Sequence, residues 1–415
     1  MKRFVKYGMK NADYVQINSV KSSEISLNIQ NNAISDGETS SEKKFYVNVW
    51  KNGKQGFVTT DYLNEKVIDK AIMISKINVK DDDFVGLPSL SDIPKVKTFD
   101  SKLNFEVDDL VKDSKKIIDI VKDDSVKVSQ AGLSLEQDEV SIMNSEGVDY
   151  SYKNSEKSCF VSGVAKGKNV SMFDDWQSSR TDFNIRPLCE GVNKKVKDFM
   201  NVEKVKVNCS LVSLKPMAFS SLFNYSMLNN FNSREVDKGK SLFHFDDVGQ
   251  NKFGSLNIYD NGLVDFGANS RPFDSEGNVV RRNDLVKKGI LNNFAYDYSM
   301  GKKYSKDATG NSSLTGINFN NIFVEGKSES YDSALIVENV IGAHTANQIT
   351  GDFSVKVDNA YFLKDGQHIP VSGFMLQGNM LEVLNEVYSI SKDIKEYSGV
   401  YVGDLVSSKI NYTQQ

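Results

Sequence analysis

Apolar and polar residues recur along this chain with periods that change from two to between three and four and back, and the changes predict its elements. Met1 to Met9 reads as a short helix. From Asp13 to Ile29 alternation runs through Tyr14, Gln16 and Asn18, breaks in a polar stretch, and resumes at Ile25, Leu27 and Ile29, so strand, break and strand are expected. Phe45, Val47 and Val49 form another strand, which Asn52-Gly53 turns into Gln55 to Val58. Asp61 stands where a cap would begin a helix from Tyr62 to Ile77, with Leu63, Val67, Ile68, Ala71, Ile72 and Ile74 on its apolar face. A second helix spans Val107 to Val121 with Leu110, Ile117, Ile118 and Val121 inward. Strands follow over Val126 to Leu135, Glu139 to Asn144, Asp149 to Lys153, Cys159 to Lys166 and Val170 to Asp174, and a helix from Asn184 to Met200.

The second half is richer in strands. Lys204 to Leu211, Ser255 to Tyr259, Asn321 to Val324 and Ser354 to Phe362 read as strands, and Asp365-Gly366 is a hairpin turn into Gln367 to Val371. Helices are expected over Ala218 to Asn230, Tyr296 to Lys303, Asp332 to Val340 and Met380 to Ile390, with final strands from Tyr401 to Ile410. The pattern predicts an α+β fold: a mixed α/β N-terminal domain over 1–200 and a β-rich C-terminal domain over 201–415, divided between Asn193 and Lys204.

A chain of 415 residues is too long for one ordinary core. A net charge of −4 argues against a nucleic-acid binder that works by neutralising phosphates. The sequence has no apolar run long enough for a membrane span, and its basic start lacks the apolar core of a signal peptide, so a cytoplasmic location is expected. Cys159, Cys189 and Cys209 stand apart without CxxC spacing and read as small core residues. Asp81-Asp82-Asp83 reads as a solvated loop rather than a cation site. His244, His344 and His368 lack the spacing of metal ligands. Neither GxGxxG nor GxxxxGK[ST] occurs.

Several local runs resemble the TldD/PmbA family, formerly labelled modulators of DNA gyrase. They are Arg271-Pro272-Phe273-Asp274-Ser275-Glu276-Gly277, Thr309-Gly310-Asn311, Gly342-Ala343-His344-Thr345, Thr350-Gly351-Asp352-Phe353-Ser354, Asp365 to Val371 and Gly378-Asn379-Met380. The resemblance spans nearly the whole chain and is densest from Arg271 to Asn379. It marks Asp274, Glu276, Gly277, His344, Gly351, Asp352, Phe353 and Asn379 as family-motif residues with structural or peptide-cavity roles. From the residues alone, Asp274 and Glu276 stabilise a turn, and Asp352 accepts from turn amides.

The catalytic branch of the family resembles a zinc metallopeptidase, with HExxxH on a helix of the second domain and a later Cys ligand. Here the matching helix reads AFSSLFNYSMLNN over Ala218 to Asn230, without His or Glu, and no Cys follows Cys209. The resemblance is therefore to the TldE or PmbA branch. It implies a non-catalytic subunit that forms peptide-cavity walls beside a TldD-like catalytic subunit, with the zinc in that partner, no metal or cofactor of its own, and a peptide as substrate. Dimerisation with that partner, or with a second copy of this chain, is the expected association. The alternatives are an independent metallopeptidase with unconventional ligands and a regulatory protein-binding module.

Overall fold

The computed structural model describes residues 1–166, 171–200, 202 and 205–414. The N-terminal part holds α1 (Lys2–Gly8), β1 (Tyr14–Gln30), β2 (Ala33–Lys51), β3 (Lys54–Thr60), α2 (Glu65–Ile77), α3 (Val107–Val121), β4 (Val126–Asn144), β5 (Asp149–Ala165), β6 (Met172–Ser179) and α4 (Arg186–Met200). Its strands form one antiparallel sheet in the order β3-β2-β1-β4-β5-β6. β1 does not break at its polar stretch. Ser22, Ser23 and Glu24 stay in register with Glu42 to Ser40 on one side and Asp138 to Glu136 on the other. Polar side chains interrupt the buried face there without interrupting the backbone ladder, so the expected two strands are one; likewise β4 and β5 each join two expected strands. α2 starts three residues later than expected, because Asn64 rather than Asp61 accepts from the Val67 N–H.

The second part holds β7 (Val212–Leu214), α5 (Pro216–Ser226), α6 (Ser233–Asp237), β8 (Asn257–Asn261), β9 (Arg282–Lys287), β10 (Ile290–Leu291), α7 (Tyr298–Lys303), β11 (Ser312–Ser313), β12 (Gly316–Ile317), β13 (Ile322–Glu325), β14 (Ser333–Ile341), β15 (Asp352–Lys364), β16 (Gln367–Val371), β17 (Phe374–Asn379), α8 (Met380–Asn385), β18 (Val387–Ile390), β19 (Lys395–Tyr397), β20 (Val400–Val402), β21 (Leu405–Ser407) and β22 (Asn411–Gln414). One sheet runs β18-β21-β7-β14-β15-β17-β22, with β16 also on β15; a second runs β10-β9-β8-β13-β20-β19. The fold is α+β, as the pattern predicts.

Three expectations fail here. Asp332 to Val340 is strand β14, not a helix: it lies between β7 and β15, and Ala334 to Glu338 are all buried. A strand covered on both faces loses its alternation and reads like a helix. The helix expected over Met380 to Ile390 stops at Asn385, and the chain re-enters the sheet as β18. No strand forms over the described part of Lys204 to Leu211; the strand there is β7, which begins just beyond it at Val212. Lys204 itself, Val170 at the start of another expected strand, and Asn201 and Glu203 within the expected domain boundary lie outside the described residues.

The core follows the two parts. α3 and α4 cover the first sheet with Leu110, Ile117, Val192 and Val196, and Ile336 and Tyr361 join that cluster from the second part. The largest cluster lies wholly between 207 and 410 and centres on α5. Pro216 sits at the start of α5, where the missing N–H costs nothing, and Ala218, Phe219, Leu222 and Phe223 are fully buried. Among the described residues no helix is long and apolar enough to cross a membrane. Phe219 stacks on Phe223 at 5.4 Å between ring centroids. Phe219→Ala should therefore cost about 3–5 kcal/mol, read as a lower denaturation midpoint; an unchanged midpoint would contradict this placement of α5.

Candidate functional site

The run from Arg271 to Gly277 is a turn folded around one carboxylate. Asp274 is 2% exposed and accepts from the backbone N–H groups of Glu276 (3.0 Å), Asn278 (2.9 Å) and Ser312 (3.0 Å), and from Asn278 Nδ2. Burial pushes its pKa up, against the charge of Arg271 and these bonds. Gly277 has φ +92°, a conformation that favours glycine, and a Cβ there would also lie tightly, at 3.0 Å, against Val148 Cγ1. The Ser275 carbonyl accepts from Gln16 Nε2 and Asn18 Nδ2 of β1, and Phe273 packs on Tyr150 and Tyr152 of β5. The motif thus clasps the second part onto the first sheet.

Glu276 points its carboxylate into a cavity of about 310 Å³ shared by Gln55, Arg234 and Ser313. Its Oε2 accepts from Ser312 Oγ (2.7 Å), the Tyr298 N–H (2.9 Å) and Asn278 Nδ2 (3.1 Å). Burial, then the charges of Asp274 and Asp297, push it up to about 7. Arg234 is paired with Asp297 instead.

A larger cavity, about 620 Å³, opens beside α5. Its lining includes Tyr152, Arg180, Asn224, Arg271, Asn320 and Gln348, and no carboxylate. Behind it lies Asp260, fully buried in β8. Asp260 accepts from Asn311 Nδ2 (2.5 Å) and from both the backbone N–H (3.0 Å) and Nδ2 (3.1 Å) of Asn320. Burial pushes it up to about 6 against those bonds. With its amide N–H committed to Asp260, Asn320 turns Oδ1 to Arg271 and accepts from Nε at 2.9 Å. The chain Asp260–Asn320–Arg271 thereby fixes the arginine at the cavity.

The other motif residues form separate networks. Asn379 caps α8, accepting from the Leu381 and Glu382 N–H groups and donating to Asp352 Oδ1 and the Thr350 carbonyl. Thr350 Oγ1 donates to Asp352 Oδ2 at 2.6 Å, Gly351 takes φ +79°, and Phe353 is core. His344 is exposed, edge-on to Tyr225 of α5. Asp274 and Glu276 therefore share donors with each other but none with Asp352 or Asn379. Asp82 and Asp83 of the acidic run pair with Lys80 and Lys303. Cys159 and Cys189 are buried, and burial pushes the Cys189 thiol up to about 12. No three His, Cys, Asp or Glu side chains converge as metal ligands among the described residues. At α5 the donors themselves are wrong for zinc: phenylalanine, leucine, serine and asparagine offer no imidazole, thiolate or carboxylate. Sequence reasoning missed Arg180, Asp260, Asn320 and the role of Arg271. A signal was present: the chain has 44 lysines and seven arginines, and Arg180 and Arg271 are two of the few.

Sheets, clasp and cavity together make an α+β fold that matches the structure of TldE from Thermococcus kodakarensis with TM-score 0.93 over 100% of this chain and 99% of that one, at 22% sequence identity. Models of the PmbA/TldA metallopeptidase domain 1, central domain and C-terminal domain match residues 15–75, 100–198 and 210–414. The chain belongs to the PmbA/TldD family. It is 26% identical to an uncharacterised protein of Methanocaldococcus jannaschii over 98% of this chain and 100% of that protein. It is 25% identical to a metalloprotease PmbA homologue of Buchnera aphidicola over 95% and 92%.

Two predictions concern the carboxylates. A carboxyl raised above its ordinary value binds its proton more tightly folded than unfolded. The stability contributed by Glu276 is then full below about pH 4.5 and is lost as pH rises through about 7. Glu276→Gln should flatten that part of the stability–pH curve in denaturant titrations, and an unchanged slope would contradict the assignment. Asp260→Asn sets an amide NH₂ against donors and should cost roughly 1–3 kcal/mol, measured the same way; a neutral effect would show that the asparagine donors are satisfied elsewhere.

Proposed function

We propose that this chain is the non-catalytic subunit of a TldD/TldE-type peptidase complex, supplying substrate-binding and cavity walls to a TldD-like subunit that carries the zinc. The observation that carries this reading is the make-up of α5. Where the catalytic branch bears HExxxH, this helix buries Phe219, Leu222 and Phe223 in the core. Zinc-assisted hydrolysis needs ligands, an open coordination position and a placed base, and α5 has none of their side chains. What α5 does border is a polar cavity wide enough for a short peptide segment. The outer edge of β2 adds a second feature suited to peptides: β3 pairs only from Phe45 onward, leaving residues 33–44 an open strand edge. In this reading the units 1–200 and 201–415 are separate folding domains, and the complex works on peptides in the cytoplasm.

The test is copurification from the native source, followed by elemental analysis and peptide cleavage with and without an HExxxH paralogue. The reading expects the paralogue to copurify, no stoichiometric zinc on the chain alone, and cleavage only when both are present. Stoichiometric zinc with cleavage by the lone chain would overturn it in favour of an independent peptidase. Failure of any paralogue to associate would overturn the pairing.

A further inference from the structure

The 620 Å³ cavity is lined by two arginines and, among the described residues, by no carboxylate; the buried Asp260 and Asp274 act on Arg271 only through space. Arg180 is 5% exposed, and its guanidinium donates only to carbonyls: Gly267 (2.6 Å), Ala268 (2.7 Å), Ser270 (3.1 Å) and Thr98 (3.4 Å). Among the described residues no carboxylate pairs with it; Glu156 and Asp138 act on it only at longer range. Burial accordingly lowers its pKa. Arg271 donates Nε to Asn320, and its remaining N–H groups donate to no protein atom among the described residues. Tyr152 lies in the field of both arginines, and among the described residues its hydroxyl has no hydrogen-bond partner. Asn224 Oδ1, from α5, is buried at the same cavity without a donor. The rest of the polar wall is neutral, made of asparagine and glutamine amides such as Asn229, Asn269 and Gln348 with the hydroxyls of Ser270 and Ser398.

A buried cation normally keeps a counter-ion, because desolvating an unpaired charge costs several kcal/mol. Here Arg180 has no carboxylate paired with it among the described residues, and Arg271 of the same cavity keeps N–H groups that no described protein atom accepts from. A guanidinium with free N–H groups and a neighbouring phenol is the geometry that binds a carboxylate. The amide wall and the orphaned Asn224 acceptor suit the peptide groups that precede such a carboxylate. We propose that the cavity beside α5 is a carboxylate-binding subsite for peptides, with Arg271 and Tyr152 as its direct contacts and Arg180 as the buried charge behind them. Asp260 and Asn320 are positioning residues, acting through Arg271. The carboxylate is a peptide C-terminus or an acidic side chain. The inference rests on the peptide-processing reading above but does not require the chain's partner to be identified.

The test is titration calorimetry on the full chain, alone and with an HExxxH paralogue, using three probes: acetyl-trialanine with a free C-terminus, its C-terminal amide, and acetyl-Ala-Asp-Ala-amide. The free acid should bind roughly tenfold to a hundredfold more tightly than the amide. Tight binding of the Asp peptide as well would identify any carboxylate as the ligand; tight binding of the free acid alone would identify the C-terminus. Arg271→Gln should abolish the preference, and Arg271→Lys should keep part of it. Arg281→Gln, at an exposed arginine paired with Asp307, should leave it intact. Tyr152→Phe, which keeps the ring on Phe273, should weaken the free acid several-fold and serves if Arg271→Gln does not fold. Tight binding of the Asp peptide alone would identify an acidic side chain; equal binding of all three probes, a preference that survives Arg271→Gln, or no binding of any probe in either setting would overturn the subsite. An active complex without the preference would sink this inference and leave the subunit reading standing; absence of a complex would do the reverse if the lone chain still prefers the acid.

Discussion

Buried carboxylates that meet only neutral N–H donors hold the second half of this protein in shape. Asp260 and Asp274 each draw several amide or backbone donors inward, and each sits beneath a loop with little regular structure. A carboxylate so buried is costly unless its lone pairs are filled, so each loop must close fully around its acid. Ser312 links Asp274 to Glu276, and Asn320 links Asp260 to Arg271. The loops that frame the cavity beside α5 and the turn that grips the first sheet are thus consequences of the same constraint.

That constraint also divides the labour between helix and loops. α5 is spent on packing, with Phe219 and Phe223 stacked in the core. Charge and hydrogen-bonding capacity are placed in the loops opposite, where Arg180 and Arg271 lie close to backbone carbonyls and asparagine amides. Such a site is suited to recognising a polar, negatively charged group and holding it, rather than to activating water. The electrostatics favour an occupant that brings its own negative charge, since Arg180 meets only carbonyl oxygens and Arg271 meets the Asn320 amide oxygen, with no carboxylate in the described cavity wall.

How much of this was legible in the sequence depended on which physical signal each element carried. α3 was read to the residue, because one of its faces is apolar and the other charged. β1 was read as two strands because its polar middle gives no burial signal, although the backbone ladder is continuous. β14 was read as a helix because burial on both faces erases the alternation that marks a strand. At the candidate site, Asp274, Glu276 and Gly277 are marked by their motif, and the structure gathers them in one turn. His344, Asp352 and Asn379 carry motif matches too but belong to other networks, and Asp352 accepts from Thr350 Oγ1 and Asn379 Nδ2 rather than from the turn amides expected. Asp260 and Asn320 were not legible: they come from β8 and from the residue before Asn321, in stretches without a local pattern, and only the tertiary pairing of β8 with β13 brings them together. Arg180 was hidden likewise at the end of β6, where only its rarity among so many lysines set it apart.

The account stands most directly on what occupies the cavity beside α5. A crystal structure grown with acetyl-trialanine would show it. The account predicts a peptide in that cavity with its carboxylate within hydrogen-bond distance of the Arg271 guanidinium and the Tyr152 hydroxyl. A peptide bound elsewhere, or in this cavity with its carboxylate turned away from both, would contradict it.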